Sequence, residues 1–328
     1  MADRFERKYF VNCDKERELF EQLISLQSEK RILSIVSAEG TGKSFLQEMF
    51  LVQCRTSDIP ACLITLNDTL SSFEFVKILV EKLKLSITFN QFNSLYRLFL
   101  DGRYNEVLAK ATIKGKRTKI EGKTTVNASD FSYAYQPQIG STIINLNVTA
   151  KEIDKSLFDS ILQNLPSLPQ PTDELREIAQ QECIKACFED IQKHFQRIHN
   201  KRSKTPVVIL LDRYEAATLE FKRWVEEEFL KQYFFNPAHS DNRLVFVVTG
   251  REVPDFEANF PKERCQALTN QIKGLAKWSL PHIEACLDVR NVDKNQAPYL
   301  YALYSQSEFN ALNFITWLEL LTSNMRRL

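Results

Sequence analysis

Two short, uninterrupted runs of apolar residues place the strongest constraint on how this chain folds. Pro206 to Leu211 (PVVILL) and Leu244 to Thr249 (LVFVVT) are rich in β-branched residues and show no alternation of apolar and polar positions. Such runs are typical of strands that are buried on both faces of a parallel sheet. Apolar segments at Arg31 to Ser37, Pro60 to Leu66 and Cys265 to Ile272 predict three further strands. The sequence therefore predicts an α/β fold with a mostly parallel five-stranded sheet.

Helical patterns separate these strands. Apolar residues recur at helical spacing in residues 14–26, 72–85 and 174–198, and in the segment SFLQEMFLVQ after the first strand. Asn12 or Asp14 is the expected N-cap of the first helix. A helix containing Trp224, Phe229 and Leu230 is predicted between the third and fourth strands. Alternating strands and helices favour parallel strands flanked by helices.

The predicted elements divide the chain into a sheet-containing domain, residues 1–274, and a small helical unit, residues 275–328. After Leu275 only helices are predicted, one beginning over Pro281 to Cys286 and another over Phe309 to Leu321. An insertion at about residues 110–150 interrupts the larger domain. Its alternating Thr, Ile and Val predict either one or two exposed hairpins or a largely mobile segment.

Composition narrows the class of protein. Hydrophobic residues make up 44% and charged residues 26%, as in a globular protein. The 43 basic and 42 acidic side chains nearly cancel, so no global field attracts the chain to nucleic acid or to a membrane. No apolar stretch approaches the roughly 20 residues that span a bilayer, and no signal peptide is evident. The seven cysteines form no CxxC pair, and together these features predict a cytoplasmic protein without a membrane partner.

A glycine-containing turn between the first strand and the next helix carries the strongest functional motif. It matches the Walker A pattern, except that Ser37 stands in place of the first glycine. Gly40 and Gly42 allow backbone N–H groups to face a phosphate at the helix start. We expect Lys43 to neutralise the β- and γ-phosphates and Ser44 to bind Mg²⁺. The predicted nucleotide-binding residues are Ser37, Ala38, Glu39, Gly40, Thr41, Gly42, Lys43, Ser44 and Phe45.

Acidic residues follow the strand PVVILL. Asp212 ends the strand and is predicted to hold Mg²⁺ together with Ser44, whereas Glu215 is a candidate to orient or activate the attacking water. Many such enzymes keep their glutamate directly after the aspartate, a position that Arg213 occupies here. A strand that ends in aspartate is a common pattern, and the Walker A match makes the functional interpretation of Asp212 stronger.

The strand LVFVVT leads into Gly250 and Arg251 at the expected carboxyl edge of the sheet, where ligands of open α/β folds bind. One hypothesis is that the Arg251 guanidinium binds the γ-phosphate. The alternative is that Arg251 is a surface ion-pair partner of Glu252 or Asp255.

Five segments together resemble the STAND class of P-loop ATPases within the wider AAA+ group: KYFVNCDKERELFEQL, ILSIVSAEGTGKSFLQEMF, VVILLDRYEAA, LVFVVTGRE and IKGLAKWSLPHIEACL. This resemblance implies a P-loop NTPase core with a helical lid, and adenine packed near Tyr9 to Asn12, which includes Val11. It also implies a slow ATP/ADP switch with Mg²⁺ that controls assembly of signalling complexes. Cys13 stands where the family usually has arginine, and SQSEFNALNF lacks the glycine-proline sensor expected in the lid.

Three functional hypotheses follow. The first is an ATP-binding, slowly hydrolysing switch that acts on protein partners or on its own assembly, with a bacterial signalling or defence role by family analogy only. The second is a nucleic-acid-associated ATPase of the initiator-loader or transposition-helper kind. Its basis is the basic insertion, with Lys110, Lys114, Lys116, Arg117, Lys119 and Lys123. We favour the first, because charge runs are more often solvated. The third is a scaffold that binds ATP without hydrolysing it.

Overall fold

The computed structural model of the protein describes residues 13–111, 173–199, 205–236, 243–289, 292–306, 314 and 316–318. Its contacts divide the chain into two compact units, Met1–Phe89 with Asp190–Leu328, and Asn90–Glu189. The first unit contains the sheet and every predicted site residue that the structure describes. The predicted insertion lies outside the described residues except for its first two positions.

A five-stranded parallel sheet forms the centre of the first unit. Its strands are β1 (Ile32–Val36), β2 (Ala61–Thr65), β3 (Val207–Asp212), β4 (Leu244–Gly250) and β5 (Thr269–Lys273), in the spatial order β2-β3-β4-β1-β5. Every residue of β3 and β4 is buried, as their uninterrupted apolar sequences predicted. The structure therefore confirms the α/β class and the five-stranded parallel sheet.

The register of the strands brings their carboxyl ends together at one edge of the sheet. Val36, the last residue of β1, lies opposite Gly250 of β4 and Lys273 of β5. On the other side of β4, Asp212 at the end of β3 lies opposite Thr65 of β2. Loops that follow β1, β3 and β4 consequently begin side by side, although they are far apart in sequence.

Helices flank the sheet and account for most of the remaining described residues of the first unit. Before β3 they are α1 (Asp14–Ile24), α2 (Lys43–Thr56) and α3 (Ser72–Leu83). The next helix in the chain, α4 (Asn90–Leu100), belongs to the second unit. Helix α5 (Asp173–His199) begins in the second unit and ends in the first. A 3₁₀ turn (Tyr214–Ala216), α6 (Leu219–Arg223), a π-helix (Trp224–Leu230) and α7 (Lys231–Tyr233) connect β3 to β4. After β4 come α8 (Phe256–Asn259) and α9 (Lys262–Leu268), and after β5 come α10 (Leu280–Val289), a 3₁₀ turn (Lys294–Gln296) and α11 (Ala297–Gln306).

Among the described residues of the first unit, one hydrophobic cluster includes α1 and α2 and another lies among the C-terminal helices. In the main cluster, α1 and α2 pack together through Phe20 and Phe50, whose rings stack with centroids 4.1 Å apart. A second cluster is formed by the C-terminal helices, where Leu287, Leu300 and Phe314 are fully buried. In each cluster, removing apolar side chains from water is the main favourable contribution to the free energy of folding. Within the described ranges, no helix is both long and apolar enough to cross a membrane.

Some local predictions were wrong at the ends of elements. The predicted fifth strand began at Cys265, but β5 begins at Thr269, because residues 262–268 form a helix in which the buried Cys265 contacts the Phe256 carbonyl. The N-cap position of α1 belongs to Cys13, with a left-handed φ of 71° and no side-chain cap, and Asp14 is the first helical residue. The sequence patterns did not indicate α4 or α11. The predicted helix with Trp224, Phe229 and Leu230 is present, but residues 224–230 have π-helical rather than α-helical hydrogen bonding. The predicted helix over Phe309 to Leu321 lies outside the described residues except for 314 and 316–318.

Candidate functional site

Residues 37–42, called here the 37–42 loop, connect the carboxyl end of β1 to the first turn of α2. Gly40 and Gly42 have φ angles of 75° and 94°, in the left-handed region that glycine adopts without steric penalty. Gly42 is the N-cap of α2 and offers no side chain to cap it. The amino end of α2 therefore presents its partial positive charge to the loop without a capping side chain, an arrangement suited to an anion.

Ser37 occupies the first position of the loop. It is not among the described residues with positive φ, so its backbone does not require glycine. The Ser37 N–H donates to the Gly250 carbonyl at 3.1 Å, and the Ser37 hydroxyl accepts from the Leu275 N–H at 3.1 Å. Ser37 thus ties the loop both to the end of β4 and to the segment that follows β5.

Lys43 is the first residue of α2, and its side chain turns back into the loop. It is only 9% exposed, and its ammonium donates to the Ser37 carbonyl at 2.7 Å and to the Ala38 carbonyl. Burial lowers the pKa of Lys43, and the negative charges of Glu215 and Asp212 oppose this shift. The ammonium is therefore partly desolvated, held by its own loop and close enough to both carboxylates to feel their charge.

A buried hydrogen-bond chain joins α2 to the ends of β3 and β4. The Thr249 hydroxyl donates to Oδ1 of Asp212 at 2.8 Å. The Gln47 side-chain amide donates to the Leu211 carbonyl at 3.0 Å and to Oγ1 of Thr249 at 3.3 Å. Gln47, Thr249 and Asp212 are all buried, with Asp212 only 3% exposed. The carboxylate of Asp212 is consequently held in a defined orientation at the carboxyl edge.

The Glu215 carboxylate packs against the end of β4. Arg213 adopts a left-handed φ of 62°, which turns the chain sharply after β3 into the 3₁₀ turn that carries Glu215. Oε2 of Glu215 accepts from the backbone N–H of Arg251 at 2.9 Å. A Cβ on Gly250 would lie 2.7 Å from the same oxygen, so the close approach of this carboxylate depends on glycine.

Arg251 extends from the end of β4 toward two carboxylates. Its guanidinium lies 3.6 Å from Glu215 and 3.5 Å from Glu39 of the 37–42 loop. Glu252, one of its alternative partners, instead pairs with Lys222. The Arg251 side chain is 59% exposed. It therefore bridges the loop and the Glu215 turn while remaining accessible to solvent.

The structure thus brings together the loop, Lys43, Asp212, Glu215 and Arg251 at one edge of the sheet. Ser44 is exposed on the first turn of α2, with Phe45 half-buried beside it. The predicted adenine-contacting residues, Val11 and Asn12, lie outside the described residues. So do the predicted basic contacts of the insertion, apart from the exposed Lys110.

The sequence motifs did not indicate a role for Gln47 or a contact for Thr249. A signal for Gln47 was present, since a glutamine one turn after Lys43 lies in the apolar stripe of α2. The identity of its partners depends on strand order, which the sequence pattern does not give.

Comparison with known proteins found no relative of this chain. No protein-family model matches the chain, and no curated protein matches it.

Proposed function

We propose that this chain has a P-loop NTPase core with a helical lid, and that it is a STAND-like, AAA+-related switch. In this proposal ATP binds with Mg²⁺ at residues 37–45 and is hydrolysed slowly to ADP. The nucleotide state then controls assembly with protein partners or with further copies of the chain. A signalling or defence role remains an analogy with the family that the sequence resembles.

One observation carries the proposal. Lys43 follows two left-handed glycines at the uncapped start of α2, and its ammonium lies within electrostatic reach of Glu215, Asp212 and Arg251. Burying an ammonium group is costly, because burial removes its hydration, and this lowers the pKa of Lys43. An incoming polyphosphate would stabilise the charged form and provide stronger acceptors than the carbonyls of Ser37 and Ala38.

The oxygen donors fit Mg²⁺ bound together with a nucleotide. Ser44 and Asp212 would hold the ion, which would neutralise phosphate charge when bound. In the part of the chain that the structure describes, no group of three or more His, Cys, Asp or Glu side chains is placed to hold a metal. Mg²⁺ usually takes few protein ligands and completes its shell with phosphates and water, so one hydroxyl and one carboxylate are a sufficient protein contribution.

The geometry of Glu215 supports slow turnover. Its carboxylate accepts the Arg251 N–H and also lies near the Arg251 guanidinium. A carboxylate with these partners is less available to orient an attacking water. We expect ATP to draw the guanidinium toward the γ-phosphate, which leaves Glu215 with the backbone contact alone.

Residues 275–328 are the proposed lid. Their helices have a hydrophobic cluster of their own, in which Ile283, Leu287 and Leu300 are fully buried. The Ser37–Leu275 hydrogen bond connects the start of this segment to the proposed nucleotide loop. A change in the loop on nucleotide binding therefore has a direct contact through which to act on the lid.

The test is titration of a fluorescent ATP analogue in Mg²⁺ against the wild type, Lys43→Ala and Lys30→Ala. Lys30 is a matched control, because its ammonium also donates to two backbone carbonyls, those of Gln266 and Thr269, and burial also lowers its pKa. It lies before β1, at the opposite edge of the sheet from the proposed site. We expect saturable binding by the wild type and Lys30→Ala, and at least a tenfold loss in Lys43→Ala, which corresponds to about 1.4 kcal/mol. Absence of saturable binding by folded wild-type protein would overturn the proposal.

The engagement of Glu215 by Arg251 also favours a second candidate, a scaffold that holds ATP without hydrolysing it. Phosphate release separates the two candidates when the wild type, Lys43→Ala and Glu215→Gln are compared at matched folding stability. Wild-type release above both variants supports the enzyme. Equal background rates in all three, with nucleotide binding intact in the wild type, support the scaffold.

A further inference from the structure

Gln47 is a polar residue in a position that normally holds an apolar one. It is 0% exposed, and its neighbours in the sequence, Leu46 and Met49, belong to the main hydrophobic cluster with Phe50. Burying a side-chain amide is unfavourable unless hydrogen bonds replace its contacts with water. The contacts of Gln47 therefore indicate what this side chain contributes.

The hydrogen bonds of Gln47 have a fixed direction. The Leu211 carbonyl can only accept, so the atom of Gln47 that contacts it at 3.0 Å is the amide nitrogen. The same nitrogen lies 3.3 Å from Oγ1 of Thr249. Oε1 of Gln47 is buried without a hydrogen-bond partner among the described residues, so the amide is held through its nitrogen.

This direction determines where the Thr249 proton points. A hydroxyl has one proton, and an oxygen that already accepts from Gln47 is favoured to donate that proton elsewhere. Thr249 donates it to Oδ1 of Asp212 at 2.8 Å. In the described part of the chain, Oδ2 of Asp212 accepts no hydrogen bond. One oxygen of the carboxylate is thus fixed, and the other is left for a ligand.

We infer that Gln47 and Thr249 are positioning residues for the Mg²⁺ ligand Asp212, an inference that rests on the proposed function. Gln47 orients the Thr249 hydroxyl, and the hydroxyl holds Oδ1 of Asp212, which leaves Oδ2 to bind the ion. Groups that orient metal ligands in this way typically change metal affinity by about 10–100-fold when they are removed.

A purely structural role makes a different prediction. If Gln47 and Thr249 only tie α2 to β3 and β4, their loss lowers the free energy of unfolding and leaves Mg²⁺ dependence unchanged. The discriminating readout is therefore the apparent Mg²⁺ affinity at fixed labelled ATP, together with ATP binding in EDTA.

The central comparison is between Thr249→Val, which keeps the shape and removes the hydroxyl, and Thr249→Ser, which restores it. Gln47→Met removes the amide at similar length, and Gln53→Met is the control on the exposed side of the same helix, where Gln53 contacts Glu21. We expect Thr249→Val and Gln47→Met to weaken Mg²⁺ affinity at least tenfold while ATP binding in EDTA changes less than about twofold. Thr249→Ser and Gln53→Met should resemble the wild type.

Each outcome decides the inference. Wild-type Mg²⁺ dependence in Thr249→Val overturns it, while intact wild-type nucleotide binding leaves the proposed function standing. Absence of Mg²⁺-dependent binding in the wild type itself overturns the inference, and absence of all nucleotide binding overturns the proposed function as well. If Gln47→Met does not fold, the Thr249→Val and Thr249→Ser pair decides by the same criterion.

Discussion

The Ser37 hydroxyl accepts a hydrogen bond from the Leu275 N–H at 3.1 Å, so the side chain at the start of the loop holds the start of the C-terminal segment. A second bond lies beside it, from the Gly274 N–H to the Val36 carbonyl at 2.6 Å. Together they attach the two residues that follow β5 to the end of β1 and the start of the loop. Glycine, which the Walker A pattern usually has at this position, would keep the backbone bond and lose the one to Leu275.

Ser37→Ala should lower the free energy of unfolding by about 1–2 kcal/mol, because it leaves the N–H of the buried Leu275 without its acceptor. Urea denaturation measures the change. Ser44→Ala, which removes an exposed hydroxyl seven positions later, should cost less than about 0.5 kcal/mol. Equal losses in the two variants would show that the Leu275 contact contributes nothing to stability.

The central strands of the sheet were predictable because a strand that is buried on both faces has a continuous apolar sequence. β3 and β4 are buried on both faces, so every position must be apolar or hydrogen-bonded, and their bounds were found to within a residue. β5 has a mostly polar sequence, TNQIK, in which only Ile272 is buried, and its predicted start was placed too early, within the helix before it. β2, like β5, lies at an edge of the sheet, and it was predicted because its sequence ACLIT is apolar and its three central residues are buried.

The site was predictable where chemistry depends on neighbours in sequence. Gly40, Gly42 and Lys43 belong to one local turn, and the strand ends place Asp212 and Arg251 at the same edge. The pairing of Arg251 with Glu39 was not predictable, because it joins two exposed side chains from loops that only the strand order brings together. The Gln47 contacts were missed for the same reason.

Gly250→Ala should destabilise the protein by about 2–3 kcal/mol, because the added methyl group overpacks a filled position. Its Cβ would lie 2.3 Å from the Glu252 carbonyl oxygen and 2.7 Å from Oε2 of Glu215. The carbonyl belongs to the backbone and has little freedom to move away. Chemical denaturation of the variant gives the change in unfolding free energy.

Gly102→Ala provides the comparison for that experiment. Gly102 has a φ of +71°, and no heavy atom lies within 4 Å of the position that an alanine methyl group would take there. Only backbone strain of about 1 kcal/mol is therefore expected. A loss at Gly250 no larger than the loss at Gly102 would contradict the packing of Glu215 against the end of β4.

Arg251→Ala should change stability by less than about 1 kcal/mol, because the ion pairs of this side chain are solvent-exposed. Its backbone N–H, which binds Glu215, is retained. If the guanidinium binds the γ-phosphate as proposed, the variant should lose about tenfold in its preference for ATP over ADP. Competition of the two nucleotides against a labelled analogue measures this ratio.

Lys222→Ala is the matched control, since it removes a neighbouring cation that pairs with Glu252. Its ATP-to-ADP ratio should equal that of the wild type. An unchanged ratio in Arg251→Ala would assign Arg251 to the surface ion pairs alone.

Lys43 should make the stability of the free protein depend on pH in the alkaline range. Burial lowers its pKa in the folded state below the ordinary value of 10.5. Between the lowered pKa and 10.5, the unfolded chain binds more protons at this residue than the folded chain, so the free energy of unfolding rises with pH. Below the folded pKa the cost of burying the charged ammonium is present in full.

Lys43→Met removes the titrating group while keeping most of the chain length. The wild type should therefore gain stability relative to Lys43→Met as the pH rises through the alkaline range toward the ordinary pKa of 10.5, as measured by urea denaturation. Lys15→Met, which removes a lysine from the exposed face of α1, is the reference for the general effect of losing one positive charge. The free energy of unfolding of the wild type minus that of Lys43→Met could instead stay constant, or fall, as the pH rises. That result would show that the Lys43 ammonium is hydrated in the folded protein and that the loop does not enclose it.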